Sequence, residues 1–594
     1  MDLPRRFDLS RPLSELHPNE QLKFDSRYLR GTLEQSLEDA ITGAISDDDT
    51  QLTKFFGMYQ QDDREVREER RRARLEPLYQ FMVRVRLPGG VCTTEQWLAL
   101  DALARENANG TLRLTTRQTF QFHGVFKDKL RRHVQGIYAS GLDTIAACGD
   151  VNRNVIATAN PLLSSAHREA TETAQRIGTH LLPRTGAYRE ILLQQPAASE
   201  NPADTPADGA ATAGATISEE PIYGHTYLPR KFKIAIAVPP DNDVDVYAHD
   251  LGLIAIVEDG RIVGYNVLVG GGMGMTHRQV ATYPRLGDVA GFCEAADVID
   301  VVEHTMCIQR DYGDRHDRYH ARFKYTIDDR GIEWFREELA RRLGKPLQPA
   351  RDFHFETSGD RYGWQQGEDG RWHYTLFIEN GRVADTPGRT LMSGLREIAT
   401  SFPGFFALST NQNVTIAGID AADRERLEEV LRRHNIENEA SHTALRRHSM
   451  ACVAFPTCGL AMAESERYLP SLIDRLDEAL RDAGLAQEPI SIRMTGCPNG
   501  CARPYLAEIA LVGKALGKYN LYLGASANGD RMNTLYRENI DERQILAALT
   551  PLFHAYAAER QPQEHFGDFV IRKEVVPAML AGRDFQKIEA AAPD

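Results

Sequence analysis

The chain has 594 residues, of which 42% are hydrophobic and 26% are charged. These fractions are typical of a folded globular protein, which excludes a fibrous fold, and the length allows about three to five domains. Its 70 basic and 84 acidic residues give a net charge of −14, which disfavours nucleic-acid binding. No apolar run is long enough for a membrane helix, and the start MDLPRRFDLSRPL has no signal-peptide core. We therefore expect a cytoplasmic protein without a membrane segment.

Two segments are too polar to contribute to a core. Residues 1–75 contain an acidic run, and the stretch 61–77 is almost wholly charged. This pattern predicts a mobile N-terminal arm followed by a solvated helix, and it also fits a docking segment for a partner protein. The second segment, 196–218, is rich in Ala, Pro, Thr, Asp and Gly, which predicts a disordered surface insertion.

Four candidate strands, at 81–87, 111–123, 231–238 and 320–327, alternate apolar and basic residues. Successive side chains of a strand point to opposite faces, so one face of each is apolar and the other basic. The basic columns lack Asp and Glu and include Arg84, Arg86, Arg113, Arg117, His123, Lys231, Lys233, His320, Arg322 and Lys324. Each strand alone fits a half-exposed antiparallel strand, but together they predict a concave basic surface for a polyanion. Arg153 lies in a turn-like segment whose position relative to this surface the spacing leaves open.

An internal duplication organises the chain. Residues 116–125 align without gaps to 410–419 and share Thr, Gln and Gly, and residues 263–270 and 517–524 share Tyr, Asn and Gly. Two matches in the same order predict two copies of one α+β unit, although short strands can also be similar by chance. Duplicated units commonly meet about a pseudo-twofold axis.

Four clustered cysteines form a C-x5-C pair, Cys452 and Cys458, and a C-x3-C pair, Cys497 and Cys501. Four thiolates suit an iron-sulfur cluster or a tetrahedral zinc ion, and zinc sites prefer C-x2-C spacing. The proline-containing turns between the cysteines favour an iron-sulfur cluster, with zinc or incidental buried cysteines as alternatives.

Six motifs together resemble the nitrite and sulfite reductase family, and more narrowly the sulfite reductase hemoproteins of bacterial NADPH-dependent enzymes. They are RLPGG (86–90), TRQTFQFHG (116–124), NRNV (152–155), LPRKFK (228–233), the C-x5-C pair and TGCPNGC (495–501). The likeness covers most of the chain, but the 196–218 insertion departs from it. The resemblance implies reduction of sulfite to sulfide, with a siroheme iron bridged by a cysteine thiolate to a 4Fe-4S cluster. It also implies assimilatory sulfur metabolism and cysteine biosynthesis.

The resemblance also implies a domain order and a partner. The predicted units are an N-terminal arm (1–75), two ferredoxin-like half-domains (76–145 and 351–435) and two siroheme/4Fe-4S-binding domains (146–350 and 436–594). No Rossmann fingerprint follows a strand, so NADPH is expected to bind elsewhere. A separate flavoprotein carrying FAD and FMN would pass its electrons to this chain in a hetero-oligomer, and the N-terminal arm is the candidate docking segment.

The resemblance assigns roles to residues of this chain. Cys452, Cys458, Cys497 and Cys501 would hold the cluster, with Cys501 as the bridge to siroheme. Siroheme would be surrounded by Arg113, Arg117, Arg230 and Lys324, with Thr115, Gln121, His123 and Asn499 as further contacts. Arg84, Arg153, Lys231 and Lys233 would line the substrate pocket, where the arginines hold the oxyanion and the lysines give up protons.

Three alternatives remain at this stage. A ferredoxin-dependent sulfite or nitrite reductase would share the cofactors but use a different electron donor. A non-catalytic siroheme-binding or iron-binding module would need the thiols but not the two lysines. A zinc-stabilised structural protein would contain zinc and no iron.

Overall fold

The structure is a computed structural model that describes residues 12–194, 220–436 and 439–587. The insertion predicted at 196–218 and the first eleven residues lie outside these ranges. In the described parts of the chain no helix is long and apolar enough to cross a membrane.

The described residues form helices and strands in a mixed order. The strands are β1 (Met58–Asp62), β2 (Tyr79–Arg84), β3 (Val91–Thr93), β4 (Leu112–Leu114), β5 (Phe120–Val125), β6 (Ile156–Ala157), β7 (Ile234–Ala237), β8 (Leu251–Glu258), β9 (Arg261–Val269), β10 (Asp288–Glu294), β11 (Gly363–Gln366), β12 (Trp372–Leu376), β13 (Arg382–Val383), β14 (Asp385–Thr386), β15 (Arg389–Thr390), β16 (Phe405–Leu408), β17 (Val414–Ile419), β18 (Ser449–Ala451), β19 (Ile492–Thr495), β20 (Ile509–Ala515), β21 (Lys518–Leu523) and β22 (Thr534–Ile540). The α-helices are α1 (Pro18–Asp25), α2 (Leu33–Glu38), α3 (Asp47–Leu52), α4 (Arg67–Arg72), α5 (Thr94–Asn107), α6 (Lys127–Ala139), α7 (Ser165–His180), α8 (Val298–Tyr312), α9 (Phe323–Arg330), α10 (Ile332–Leu343), α11 (Leu391–Ser401), α12 (Arg424–Arg433), α13 (Ala444–Arg447), α14 (Leu469–Asp482), α15 (Glu542–Glu559) and α16 (Phe566–Arg572).

Two antiparallel five-stranded sheets have matching strand orders, β1-β2-β5-β4-β13 and β11-β12-β17-β16-β3. Each sheet takes its last strand from the other half of the chain: β13 pairs with β4, and β3 pairs with β16. Helix α5, which begins with a capping box at Thr93 and Gln96, joins the two sheets. Its buried Trp97 packs on Phe120 of one sheet and Phe406 of the other, with ring centroids 5.5 and 4.3 Å away. This reciprocal exchange is what a pseudo-twofold relation between the halves requires.

Two further sheets also match, with orders β6-β7-β8-β9-β10 and β18-β19-β20-β21-β22. In both, the first three strands are parallel and the last three are antiparallel. Because both pairs of sheets repeat one topology, the prediction of a duplicated α+β fold is confirmed. The individual domain boundaries stay predictions.

The prediction of a mobile N-terminal arm is wrong for its described part. Strand β1 pairs with β2, and the buried Lys23 lies 2.6 Å from Glu20 and 3.6 Å from Asp150. These contacts fix the segment to the rest of the chain although its composition is polar. The charged stretch does contain a helix without buried residues, α4, as predicted.

The four candidate strands are shorter than predicted, and one is wrong. Residues 320–327 do not form a strand, because α9 begins at Phe323. Since its residues 323–327 are all buried, this helix has no polar face to give a helical period. The candidate 111–123 is a hairpin that turns at Thr115–Thr119, and 231–233 are extended residues that precede β7.

Candidate functional site

A cavity of about 360 Å³, which we call the cationic cavity, lies between the two halves of the chain. Its walls come from the tip of the β4–β5 hairpin, from the residues before β7 and from the loop after β19. The structure thus brings together five of the predicted site residues, Arg117, Lys231, Lys233, Asn499 and Cys501. Arg322, His249 and Arg503 also line the cavity. Arg322 was part of a predicted basic column, but no sequence motif singled out His249 or Arg503.

Arg117 is held at the tip of the hairpin. Its guanidinium donates to the carbonyl oxygens of Asn154 and Ile234 and to His249 Nδ1, which lies 3.3 Å from Nη1. The neighbouring Thr116 hydroxyl donates to the carbonyl oxygen of Cys501 over 3.0 Å. Burial and the nearby cations Arg503 and Arg153 lower the pKa of Arg117 to about 9. The hairpin therefore joins the cationic wall of the cavity to the cysteine loop.

Two lysines project from the chain just before β7. Phe232 between them exchanges backbone hydrogen bonds with Val151 and Arg153, which keeps this segment extended and both lysines on one side. Burial and the cations Arg322 and Arg230 lower the pKa of Lys231 to about 7. Burial, Lys231 and Arg117 lower the pKa of Lys233 well below its ordinary value. Lys231 is therefore poised to release a proton near neutral pH, and a bound anion would raise the pKa values of both lysines again.

Arg84, Arg153 and Gln121 form a second group, beside Cys148 and Tyr59. Arg84 Nη1 lies 3.0 Å from the Cys148 sulfur, and its Nε lies 3.0 Å from the Gln121 amide oxygen when that amide is oriented to accept. Arg153 Nε donates to the Gly149 carbonyl oxygen over 2.7 Å. The positive charges of Arg153, Arg84 and Arg230 all act to lower the pKa of the Tyr59 phenol, although burial raises it overall. The three cations therefore lie near enough to Tyr59 to act on its charge, and the sequence spacing had left the position of Arg153 open.

The prediction that the basic columns lack acidic partners is wrong for three arginines. Arg86 pairs with Asp143 at 2.5 Å, Arg113 with Glu466 at 3.1 Å and Arg322 with Asp250 at 3.0 Å. Each carboxylate comes from another part of the chain, so a single strand could not reveal it.

The next three predicted cofactor residues differ in whether their polar atoms already have hydrogen-bond partners within the protein. Lys324 donates to the carbonyl oxygens of Gly272, Gly274 and Tyr283, so its ammonium group is already hydrogen bonded. The Thr115 hydroxyl accepts from the Arg117 backbone N–H over 3.2 Å. His123 is buried, and neither of its ring nitrogens has a hydrogen-bond partner.

Three cations lie around the carboxylate of Asp150. Its carboxylate lies 2.9 Å from Arg318, 3.6 Å from Lys23 and 3.9 Å from Arg230. These positive charges outweigh burial and hold the pKa of Asp150 well below its usual range. Asp150 thereby connects the N-terminal segment to Arg230, a predicted siroheme residue.

We expect Asp150→Asn to destabilise the protein at neutral pH by up to about 3–5 kcal/mol, because it removes the shared carboxylate of the buried Lys23 and the partly buried Arg318 and Arg230. Urea unfolding followed by circular dichroism measures this change. The exposed Asp259→Asn, at a turn residue, is the matched control. Because the pKa of Asp150 is depressed, its contribution is present at neutral pH and is lost as the pH falls below about 4. Equal unfolding midpoints for the two variants would contradict this role.

The four clustered cysteines converge on two loops that follow the adjacent strands β18 and β19. The Gly496 N–H lies 3.2 Å from the Cys452 sulfur, and Asn499 Nδ2 lies 3.5 Å from the Cys497 sulfur. Burial first, and then the negative charges of Cys501, Cys452 and Cys458, raise the pKa of Cys497. The thiols are therefore near enough to affect one another, while Cys501 is exposed and lines the cationic cavity.

The side chains present fit the two prosthetic groups that the resemblance implies. The cationic cavity has the positive walls that a polycarboxylate needs, and the buried Arg117 Nε has no hydrogen-bond partner. Each thiolate of a cubane cluster binds a different iron, so the sulfurs lie farther apart than those around one zinc ion. Among the described residues no three His, Cys, Asp or Glu side chains are grouped to hold a single metal ion. Four thiols are the donors that such a cluster takes, and Cys501 lies at the cationic cavity.

The chain is similar to nitrite and sulfite reductases. The ferredoxin-like half domain of nitrite and sulfite reductases matches residues 74–137 and 365–434, and their 4Fe-4S domain matches 172–347. The latter match covers the first copy, whereas the clustered cysteines lie in the second. The structure of the Mycobacterium tuberculosis NirA protein has the same fold, with a TM-score of 0.75 over 96% of this chain and 98% of that chain at 22% identity.

More similar relatives define the family within this class. Sulfite reductase (NADPH) hemoprotein beta-components from Chromohalobacter salexigens and Myxococcus xanthus are 59% and 56% identical to this chain. The alignments cover 96% of this chain in both cases, and 97% and 98% of the respective relatives. The chain therefore belongs to the family of sulfite reductase (NADPH) hemoprotein beta-components, which confirms the family predicted from the motifs.

Proposed function

We propose that this chain reduces sulfite to sulfide, at a siroheme iron joined through a cysteine thiolate to a 4Fe-4S cluster. The observation that carries this proposal is that Cys501 lines one cavity together with three cations, the buried Arg117 and the partly buried Lys231 and Lys233. The reaction takes six electrons and releases three oxygens as water. It serves assimilatory sulfur metabolism, cysteine biosynthesis included, in the cytoplasm.

The cofactors are held by thiolates and by cations. Cys452, Cys458, Cys497 and Cys501 would hold the cluster, and Cys501, which lines the cationic cavity, would be the cysteine shared with siroheme. Arg117, Arg113, Arg230 and Lys324 compensate the siroheme carboxylates, with Thr115, Gln121, His123 and Asn499 as further contacts. When bound, the siroheme and the cluster supply the electrons, one at a time, to an anion that the protein holds.

The chain's own residues bind the anion and move protons. Arg84 and Arg153 hold the oxyanion through rigid guanidinium groups, and the contacts of Arg84 with Cys148 and Gln121 fix its orientation. Lys231 and Lys233 give protons to the departing oxygens from their Nζ atoms. Their lowered pKa values make this transfer easier than from an ordinary lysine.

The electrons come from NADPH through a flavoprotein partner that carries FAD and FMN, in a hetero-oligomer with this chain. The names of the two relatives specify NADPH. We also propose that the N-terminal segment contacts this flavoprotein. Its described part is packed against the body of the chain and so would present a fixed surface.

An anaerobic assay tests the proposed function. Protein made in cells that supply both prosthetic groups is given sulfite with a reduced dye, then with the flavoprotein and NADPH, and separately with reduced ferredoxin. We expect sulfide with the dye and with the flavoprotein. Sulfide with ferredoxin alone would overturn the proposed donor, and no sulfide with any donor would overturn the function.

Loss of Arg117 is expected to reduce siroheme content. We expect Arg117→Gln to lower siroheme occupancy about tenfold or more, because a lost charge-assisted hydrogen bond costs about 1.5–3 kcal/mol. The Soret absorbance per mole of purified protein measures occupancy. Arg371→Gln, distant in sequence and partly exposed, serves as the control. Full Soret absorbance in Arg117→Gln would show that this residue does not hold siroheme.

A further inference from the structure

A second cavity lies where the duplication places the counterpart of the cofactor site. Thr375 of β12 pairs with Thr415 of β17, as Arg84 of β2 pairs with Gln121 of β5. Thr415 aligns with Gln121 in the duplicated segments. Thr375 therefore occupies the position of Arg84, and a hydroxyl replaces a guanidinium.

The loops that correspond to the cysteine loops in the other copy carry other side chains in place of the thiols. The parallel strands of the two mixed sheets pair equivalently at Ala157, Ile236 and Leu253 and at Ala451, Met494 and Leu511. Asp243 follows Ile236 by seven residues and precedes Leu253 by ten, and Cys501 has the same separations from Met494 and Leu511. Asp243 therefore holds the position of Cys501. Likewise Thr158, directly after Ala157, holds the position of Cys452.

This second cavity, which we call the acidic cavity, encloses about 440 Å³. The carboxylates of Asp241, Asp243 and Asp360 line it, together with one arginine, Arg361. Burial also keeps His167 neutral at physiological pH, because it lowers the pKa of that side chain to about 4. The acidic cavity is therefore negative where the cationic cavity is positive, and it disfavours a polycarboxylate.

Two of the three carboxylates have partners, and the third has an unpartnered oxygen. Asp360 accepts from Ser409, Asn411 and Asn413, and Asp241 accepts from Arg361 over 2.8 Å. Asp243 Oδ2 accepts from the Ala159 N–H over 2.9 Å, but its Oδ1 is buried without a hydrogen-bond partner.

Two more side chains that line the acidic cavity also have a buried polar atom without a hydrogen-bond partner. Asn160 Nδ2 and His167 Nε2 are also buried without a partner, and Asn160, His167 and Asp243 are 5%, 9% and 6% exposed. Asp243 Oδ1 is an acceptor that a donor group of a ligand would satisfy, whereas Asn160 Nδ2 is a donor, because Asn160 Oδ1 already accepts from the Leu162 N–H.

We propose that the acidic cavity binds a small organic ammonium ion, with Asp243 Oδ1 as the main acceptor. A primary ammonium group brings three donors and a positive charge, which suit the free Asp243 Oδ1 and the neighbouring carboxylates. A bare metal ion fits less well, since no three suitable ligands among the described residues are grouped around one point. This inference does not depend on the proposed reductase activity.

Protonation of Asp243 gives a second signature of binding. Burial, and then the neighbouring Asp360 and Asp241 carboxylates, raise the pKa of Asp243 to about 8, against the hydrogen bond from the Ala159 N–H. Arg361 and the neutral His167 are the other titratable groups that line this cavity. An ammonium ion favours the ionised carboxylate, so its binding at pH 7 should release up to one proton.

Calorimetric titration of the full-length holoprotein tests the proposal. The probes are 1,4-diaminobutane, its neutral analogue 1,4-butanediol, the dianion succinate, and Mg²⁺ alone. We expect saturable binding of the diamine with proton release, seen as a buffer-dependent enthalpy, and no binding of the diol or succinate. Asp243→Asn should weaken diamine binding about tenfold or more, whereas the exposed Asp420→Asn should leave it unchanged.

A second variant guards against misfolding of Asp243→Asn. Thr375→Lys places an ammonium group at the wall of the acidic cavity and should abolish diamine binding while the circular dichroism spectrum is retained. Binding that is absent in the wild type, equal in Asp243→Asn and Asp420→Asn, or stronger for Mg²⁺ or succinate than for the diamine would overturn the proposal.

Discussion

Replacing Cys501 by serine is expected to abolish sulfite reduction, with a loss of more than about 10²-fold. Changes to groups that merely support a metal ligand cost about 10–100-fold, and Cys501 is proposed to be a ligand itself. In the structure its exposed side chain is at the boundary between the cysteine loops and the cationic cavity. The substitution should therefore remove both a cluster ligand and the link to siroheme.

Two readouts measure this loss. Sulfide production reports activity, and the iron and acid-labile sulfide content reports cluster assembly. The control is Cys293→Ala, because Cys293 is buried in β10, outside the cysteine loops. Wild-type activity and iron content in Cys501→Ser would exclude the proposed bridging role.

The second large effect is expected at the two lysines. Lys231→Met and Lys233→Met should each lower kcat by about 10²–10⁴-fold, the usual contribution of a positioned proton donor. Methionine keeps the length of the side chain but cannot carry a proton, so KM for sulfite should change less than kcat. Steady-state kinetics with a reduced dye separates the two constants.

The pH dependence of anion binding provides a further check on Lys231. Its pKa is lowered to about 7, so the lysine is charged below that pH and neutral above it. Affinity for sulfate, an anion that the enzyme does not reduce, should fall as the pH rises through this region and lose this dependence in Lys231→Met. Lys514→Met removes an exposed lysine that pairs with Glu538 and is the control. Unchanged kcat in both Lys231→Met and Lys233→Met would remove the proton-donor role.

The sequence correctly predicts features of the fold that are set by neighbouring residues, such as the alternation of side chains along an extended segment. The alternation around Phe232 correctly places Lys231 and Lys233 on one side, although regular pairing begins only at Ile234. The aligned segments at 116–125 and 410–419 correctly predict the duplication, because each contains an equivalent hairpin strand, β5 or β17.

Features that depend on distant contacts were not predictable in this way. The ion pair between Arg503 and Asp245 joins the two copies across the duplication, and neither residue stands out in the sequence. Helix α9 was read as a strand because burial on all sides removes the polar face that marks a helix. The partners of Arg113 and Lys324 likewise come from segments that only the folded chain brings close.

Arg113 connects the basic hairpin to one of the cysteine loops. Arg113 also donates to the carbonyl oxygens of Asn380 and Ala451, the residue before Cys452. This contact places it beside a cysteine loop as well as on the basic hairpin. A role for Arg113 in positioning the cluster ligand Cys452 therefore accompanies its proposed role toward siroheme.

The visible spectrum with an iron, sulfide and siroheme count tests the central claim most directly. The protein is purified without oxygen from cells that supply both prosthetic groups. The account predicts a coloured protein with a siroheme Soret band, one siroheme and one 4Fe-4S cluster per chain, and a spectrum that changes when sulfite is added. A correctly folded but colourless and iron-free protein, or one that contains zinc in place of iron, would contradict it.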